Sequence, residues 1–263
     1  MRASGSLRVS GEEHRARGRV TLFPALDRSH CAGALAISTG LKKIRNEDAG
    51  GWERYDRRSF YAVADSHFGS AAAVIAVQES LAYLSGRMLR RDHFEAGRFR
   101  TSFAEALARA DERLYEAERG AGSETTLLVL AAGWGRVFWG SLGDSRLYAA
   151  GESTRRQLNR VEEWYLDGTG RDTSLLSTRM VCGELRDVSE RRQFSRVCLC
   201  TDGVPLARGT ASEEWSTGEI GGILSAAPDP SSAAAELAAA ALRRGGADNI
   251  CAIVLEVPWR DEH

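Results

Sequence analysis

Apolar and polar positions divide the chain into a strand-rich frame with helices after the second strand and before the last. Residues 1–19 mix Arg, Glu, Ser and Gly without apolar periodicity and read as a mobile arm. Ala34–Ser38 is a short apolar run stopped by Thr39-Gly40, and Phe60–Ala64 is another, stopped by Asp65-Ser66-His67-Phe68-Gly69; both predict strands. Ser70 can cap a helix in which Val74, Val77, Leu81 and Leu84 fall on one face. A second helix is expected from Ser102, with Glu105 completing a capping box and Phe103, Leu107, Ala110 and Leu114 facing inward.

The period then changes from helical to alternating. Thr125–Ala132, Arg136–Ser141 and Ser145–Ala150 read as a three-strand meander, with Gly133-Trp134-Gly135 as the first turn. Residues 151–175 are polar and irregular. Val197–Thr201 is a wholly apolar strand, Asp229-Pro230 opens an alanine-rich helix that stops at Gly245-Gly246, and Ile250–Val257 is the last strand. This order does not repeat βαβ units, so the pattern predicts an α+β fold of helices stacked on antiparallel sheets.

Composition narrows the function classes. The 263 residues are 43% hydrophobic, enough for a sizeable core. Lys plus Arg total 35 against 36 acids, a net charge of −1, which argues against a protein that coats nucleic acid or an anionic membrane. No apolar run approaches the roughly 18 residues that span a bilayer. Met1–Arg19 has arginines but no apolar h-region, so a secretory signal is not expected and a cytoplasmic location is. The five cysteines are an odd count for a disulfide framework and lack metal-ligand spacing; Cys198, Cys200 and Cys251 lie in apolar runs and are expected in the core. Trp134 and Trp139 are read as packing residues, and the arginine pairs at 155–156 and 191–192 as solvated loop charge.

The chemistry is carried by acids at strand ends. Asp65 follows one apolar strand, Asp202 follows another, Asp248 precedes the last, Asp144 sits in the Gly143-Asp144-Ser145 turn, and Glu47-Asp48 follow the first strand. Singly, each is ordinary turn chemistry. Gathered at one sheet edge, they could not all remain ionised without a counter-charge, and hard divalent cations favour such oxygen donors. Lys42, Lys43 and Arg45 point to a phosphate at the same place.

The segments RNED (45–48), YAVADSHFG (61–69), GSETTLLVL (122–130), GDSRLY (143–148), CLCTDGV (198–204) and GGADNICAIVLEV (245–257) resemble, in order, the metal-dependent protein phosphatases of type 2C. The resemblance implies a four-layer α-β-β-α sandwich, a single phosphatase domain over 20–258 and a short tail at 259–263. It also implies two Mn²⁺ or Mg²⁺ ions in the core site, with a third, weaker ion in some members. By motif position, Asp65 resembles the aspartate bridging both ions, Asp202 and Asp248 the other carboxylates on one, and Glu47 the carboxylate on the second. Ser66 stands where the family has a glycine whose carbonyl is a ligand, and Asp144 resembles the acid of the third ion. His67 matches a general acid present in many members. Lys43 stands where a phosphate-binding arginine is usual, with Lys42 or Arg45 as alternatives.

The implied activity is hydrolysis of phosphoserine or phosphothreonine in proteins, opposing a serine/threonine kinase, by direct attack of a metal-bridging water. No protein nucleophile is needed, and the chain has neither a Gly-x-Ser-x-Gly elbow nor a cysteine followed six residues later by arginine. Three departures matter: Lys43 offers a point charge in place of a fork, Ser66 replaces glycine, and Arg155–Arg196 is shorter than the usual flap. Two alternatives stay open, a pseudophosphatase that binds phosphoproteins without turnover and a small-molecule phosphatase. His67 has a plainer reading too, as a hydrogen-bonding partner of a nearby carboxylate.

Overall fold

Two six-stranded sheets lie face to face in the computed structural model, which describes residues 5–14, 16–25, 32–118, 122–169, 178–185, 193–207 and 214–256. The first sheet runs β1 (Gly5–Ser10), β4 (Ala49–Arg54), β5 (Arg58–Ala64), β8 (Leu127–Gly133), β9 (Arg136–Leu142) and β12 (Val181–Leu185). The second runs β11 (Arg155–Gln157), β10 (Arg146–Ala150), β13 (Arg196–Cys200), β14 (Ile250–Glu256), β3 (Gly33–Ser38) and β2 (Thr21–Ala25). All neighbours in both sheets are antiparallel. A short ribbon of β6 (Ser66–His67) and β7 (Glu124–Thr125) sits beside the first sheet. Helices α1 (Ala71–Arg87) and α2 (Ala96–Glu118) cover the first sheet, and α3 (Thr217–Ala226) and α4 (Pro230–Arg243) cover the second.

Period-two alternation builds the layers. Along β5, Phe60, Ala62 and Ala64 pack toward the helices while Tyr61 and Val63 face the other sheet. Along β14, Cys251, Ile253 and Leu255 enter the inter-sheet core while Ile250, Ala252 and Val254 pack against the second helical layer. The resulting three apolar cores separate four layers, which is the expected α+β sandwich. Cys198 and Cys200 are buried together on the helix side of β13, and Trp139 lies in the inter-sheet core, as expected of packing residues. Among the described residues no helix is long and apolar enough to cross a membrane.

Several expectations are corrected. Residues 5–10, read as part of a mobile arm, form edge strand β1, with Leu7 opposite Trp52, Val9 opposite Gly50 and Arg8 bonded to Glu53. Two alternating apolar positions were too few to show a period. The second helix starts at Ala96, because Phe99 stacks on Phe103 one turn later and extends the buried face. Ser102 is therefore mid-helix and buried, and Glu105 accepts a hydrogen bond from Tyr83 at 2.9 Å. Ser70 is the N-cap of α1, but its side chain makes no capping bond. The meander holds only for its first turn: β9 belongs to the first sheet and β10 to the second, so Gly143-Asp144-Ser145 carries the chain across the sandwich. The polar region after 150 contains β11, and helix α3, opened by a Ser216/Glu219 capping box, was not anticipated. The tail 259–263, the pair 191–192 and parts of the 155–196 stretch lie outside the described residues.

Candidate active site

Antiparallel register brings the motif ends to one end of the sandwich. Ser38 at the end of β3 pairs with Ile250 at the start of β14, and Cys200 at the end of β13 pairs with Ala252. In the first sheet Ala64 pairs with Ala49, and Leu127 with Leu142. The loops carrying Lys43 to Asp48, Asp65 to Gly69, Asp144, Asp202 and Asp248 therefore leave the sheets together. Gly143 makes its turn at φ 97°, where a Cβ would lie 2.7 Å from Thr126 Cγ2. A Cβ on Gly203 would lie 1.7 Å from the Asn249 carbonyl oxygen, so only glycine can follow Asp202 so closely packed.

Backbone bonds hold Asp65 in place. Its N–H donates to Thr126 Oγ1 at 3.0 Å, and its carbonyl accepts from Thr125 Oγ1 at 2.8 Å and the Thr126 N–H at 2.9 Å. The carboxyl is thereby left for the cluster, where it and the Asp202 carboxyl act on each other's pKa. Burial first, then the charges of Asp48, Asp202 and Asp248, pushes the Asp65 pKa well above the carboxylate range. Asp202 is pushed up to about 6 by burial, Asp144 and Asp248. Asp144 is raised mainly by burial, against the opposing charges of Arg146 and His67.

Asp48 belongs to the same cluster, although the motif reading assigned a ligand role only to Glu47 beside it. It is fully buried, and burial followed by the Asp248 charge raises its pKa well above the usual range. Thr201 Oγ1 donates to its Oδ2 at 2.9 Å and itself accepts from the Cys251 N–H at 3.0 Å. Asp48 at the head of β4 is thus tied to the ends of β13 and β14, joining the two sheets. Asp48 Oδ1 and Asp202 Oδ1 are buried without a hydrogen-bond partner.

Lys43 reaches into these acids. Its ammonium lies 2.7 Å from Asp248 Oδ1, whereas Lys42 and Arg45 are exposed. Burial disfavours its charge, but Asp248, Asp65 and Glu47 outweigh that and hold its pKa above the ordinary value. Asn249 organises the loop: its Oδ1 accepts from the Glu47 N–H at 2.8 Å, and its Nδ2 donates to the carbonyls of Thr39 at 3.0 Å and Arg45 at 2.8 Å.

Ser66 has no left-handed backbone; that conformation falls on Phe68 (φ 66°) and Gly69 (φ 140°). The serine is therefore unstrained where the resembled family has glycine. Its hydroxyl lies 2.6 Å from the Gly69 carbonyl and 2.9 Å from that of Glu124, closing the turn. The His67 ring meets Tyr165 edge-on, centroids 5.4 Å apart, and its Nδ1 is buried without a partner. Tyr165 is pinned by bonds between Leu166 and Thr125 and from the Gly168 N–H to Asp111 Oδ1 at 2.8 Å. Its phenol is pushed up to about 12 by burial and by Asp144, Asp65, Glu124 and Asp202, so it stays neutral.

The donor set fits hard divalent cations. It consists of carboxylate oxygens, two of them buried and unpartnered, in a cluster where burial and then mutual repulsion raise the pKa values of Asp48 and Asp65. Among the described residues no three acidic, His or Cys side chains are already closed into a metal cage.

The site predicted from strand ends thus contains Asp65, Asp202, Asp248, Asp144, Lys43 and His67 in mutual electrostatic reach, with Glu47 acting on Lys43. Asp48 stands among the strand-end acids of the sequence without a ligand role, and Thr201, Asn249 and Tyr165 have no site role in the sequence reading. Asn249 carries only an ordinary turn signal in the sequence, and no local signal marks Tyr165.

No curated protein matches the chain. Solved structures do. The serine-threonine phosphatase 2C from Toxoplasma gondii is 16% identical with a TM-score of 0.73, covering 96% of this chain and 99% of its own. A bacterial serine phosphatase is 15% identical with a TM-score of 0.67, covering 87% and 98%. The catalytic domain of the serine threonine protein phosphatase PstP, in complex with two manganese ions, is 22% identical with a TM-score of 0.63, covering 90% and 99%. At these identities the likeness is one of fold. The sequence itself carries the rest, for a family model matches residues 36–240, well over half of the chain and nearly all of the site just described. The chain belongs to the protein phosphatase 2C family.

Proposed function

We propose that this protein is a divalent-cation-dependent serine/threonine phosphoprotein phosphatase, a phosphoric monoester hydrolase acting opposite a serine/threonine kinase. The observation that carries the reading is the gathering of buried Asp48 and Asp65 with partly buried Asp202 and Asp248 beside one lysine ammonium, with raised pKa values on Asp48, Asp65 and Asp202. Strongly perturbed acids gathered at a cost to stability cluster at functional sites.

Glu47, Asp65, Asp202, Asp248 and the Ser66 carbonyl would hold two Mn²⁺ or Mg²⁺ ions, and Asp144 would hold a weaker third. Such ions, when bound, activate water and neutralise phosphoryl oxygens. The chain's own groups divide the remaining work. Lys43, delivered by the loop that Asn249 fastens, exchanges part of its bond with Asp248 for the substrate phosphate. His67 holds a proton at an imidazole nitrogen and passes it to the departing seryl or threonyl oxygen. Tyr165, its ring edge on the imidazole, keeps that side chain oriented. Asp48, fixed by Thr201, adds negative charge behind the ligands and keeps the two sheet ends together.

The test is phosphate release from a phosphothreonine peptide and from p-nitrophenyl phosphate, with Mn²⁺ and with EDTA. Release that requires Mn²⁺ is expected. Tight phosphopeptide binding without release would give the pseudophosphatase reading, and turnover of small phosphomonoesters alone would give the small-molecule reading.

A further inference from the structure

We infer that Phe68 is a specificity-determining residue: its ring is the platform on which an apolar side chain beside the phosphorylated residue of a polypeptide substrate docks. The inference deepens the phosphatase reading and rests on it.

Phe68 combines two properties that rarely coincide. Its backbone is left-handed, φ 66°, a conformation that bulky L-residues seldom adopt and that persists where the surroundings impose it. Its side chain is nevertheless 80% exposed, the most exposed large apolar side chain among the described residues. Burial of the ring in the protein therefore does not offset the strain. Glycine or asparagine would suit this backbone better and expose no apolar surface.

The turn is also held firmly. Ser66 Oγ lies 2.6 Å from the Gly69 carbonyl, and β6 pairs with β7 through Ser66–Thr125 and His67–Glu124. The ring therefore stands on a braced loop, with its centroid 6.3 Å from that of His67. A peptide whose phosphoresidue meets His67 and Lys43 must pass its neighbouring residues beside this ring.

The rest of the exposed apolar surface points to the same occupant. Of the seven exposed large hydrophobic residues among the described residues, Leu41, Ile44, Phe68 and Trp164 lie on loops that enter the site. Leu41 and Ile44 flank Lys43 in sequence, and the Trp164 carbonyl lies close to Gly143. A polar or acidic flanking residue would stay hydrated and leave these side chains exposed, so apolar neighbours of the phosphoresidue are favoured over acidic ones.

The experiment measures kcat/KM with Mn²⁺ for two phosphothreonine peptides that differ only in carrying Leu or Asp at the positions flanking the phosphothreonine. Wild type is expected to prefer the Leu peptide by about tenfold, the value of burying one apolar side chain. Phe68→Asn, which suits the left-handed backbone, is expected to bring the ratio within about twofold without lowering the melting temperature. Phe68→Tyr is expected to retain the preference. An unchanged ratio in Phe68→Asn, or no preference in wild type, overturns the inference. So does a fall in melting temperature of several degrees in Phe68→Asn, because the ring would then be a packing residue. Failure of wild type to hydrolyse either peptide or p-nitrophenyl phosphate overturns the phosphatase reading itself, and this inference with it.

Discussion

Replacing Asn249 with alanine removes three hydrogen bonds at one stroke, those to the Glu47 N–H and to the carbonyls of Thr39 and Arg45. Asn249 is 3% exposed and Thr39 is fully buried, so water does not readily replace the lost partners. Each neutral bond contributes about 1 kcal/mol net, or about 3 kcal/mol for the set. For a chain of this size that corresponds to a fall in Tm on the order of 10 °C. The loop released is the one that carries Lys43 and Glu47, so the Mn²⁺ concentration for half-maximal phosphate release should rise as well. Differential scanning calorimetry and a Mn²⁺ titration of activity measure the two effects. A Tm shift below about 2 °C would show that the bonds contribute little. A full Tm shift with an unchanged Mn²⁺ requirement would show that the loop's position does not depend on them. Either result refutes the argument.

Three further outcomes are expected. Lys43→Ala should raise KM for a phosphopeptide by about ten- to hundred-fold, the worth of a charged hydrogen bond, while Lys43→Arg should hold or improve it; steady-state kinetics on both variants decides. His67→Ala should reduce turnover of the phosphothreonine peptide far more than that of p-nitrophenyl phosphate, whose leaving group barely needs a proton; equal losses would indicate positioning instead. Asp202, pushed up to about 6 in the folded protein, holds its proton more tightly folded than unfolded. Its contribution to stability is then complete below its unfolded pKa of about 4 and lost as pH rises through the folded value. In EDTA, the Tm of wild type relative to Asp202→Asn should therefore fall between those limits, and a flat or rising difference would contradict the assigned environment.

The site was more legible in the sequence than the path of the chain through it. Asp65 and Asp202 end strands that are apolar on both faces, and Asp248 lies just before another. A carboxylate at such a boundary is visible without knowing the fold, and antiparallel register then brings the ends together. Asp48 opens a strand, Ala49–Arg54, that contains two glycines and a charged end and so lacks the apolar signature. Its hydrogen-bond partner is the Thr201 hydroxyl across the sandwich, 153 positions away. The crossing from β9 to β10 was illegible for a different reason. Alternation looks the same whether the next strand joins the same sheet or the facing one, and only the packing around Gly143 separates them. Tyr165 lies in a polar, irregular stretch, and its place against His67 is set by the long-range bridge between Thr125 and Leu166. Phe103, Leu107 and Leu114 were legible as the inner face of α2, but its start was not. Ser102 and Glu105 match a capping box locally, and the Phe99–Phe103 stack overrides that preference.

The central claim is that the buried carboxylates form a divalent-cation site, and calorimetric titration with Mn²⁺ near neutral pH tests it most directly. Burial and the neighbouring acids raise the pKa values of Asp48 and Asp65, and a bound cation would lower them, so the measured heat is predicted to vary with the ionisation heat of the buffer. Wild type is predicted to bind Mn²⁺ with proton release. Asp65→Asn, with its fold verified by circular dichroism, is predicted to lose most of both. Absence of Mn²⁺ binding by wild type at millimolar concentration, or equal affinity and proton release in the variant, would contradict the account.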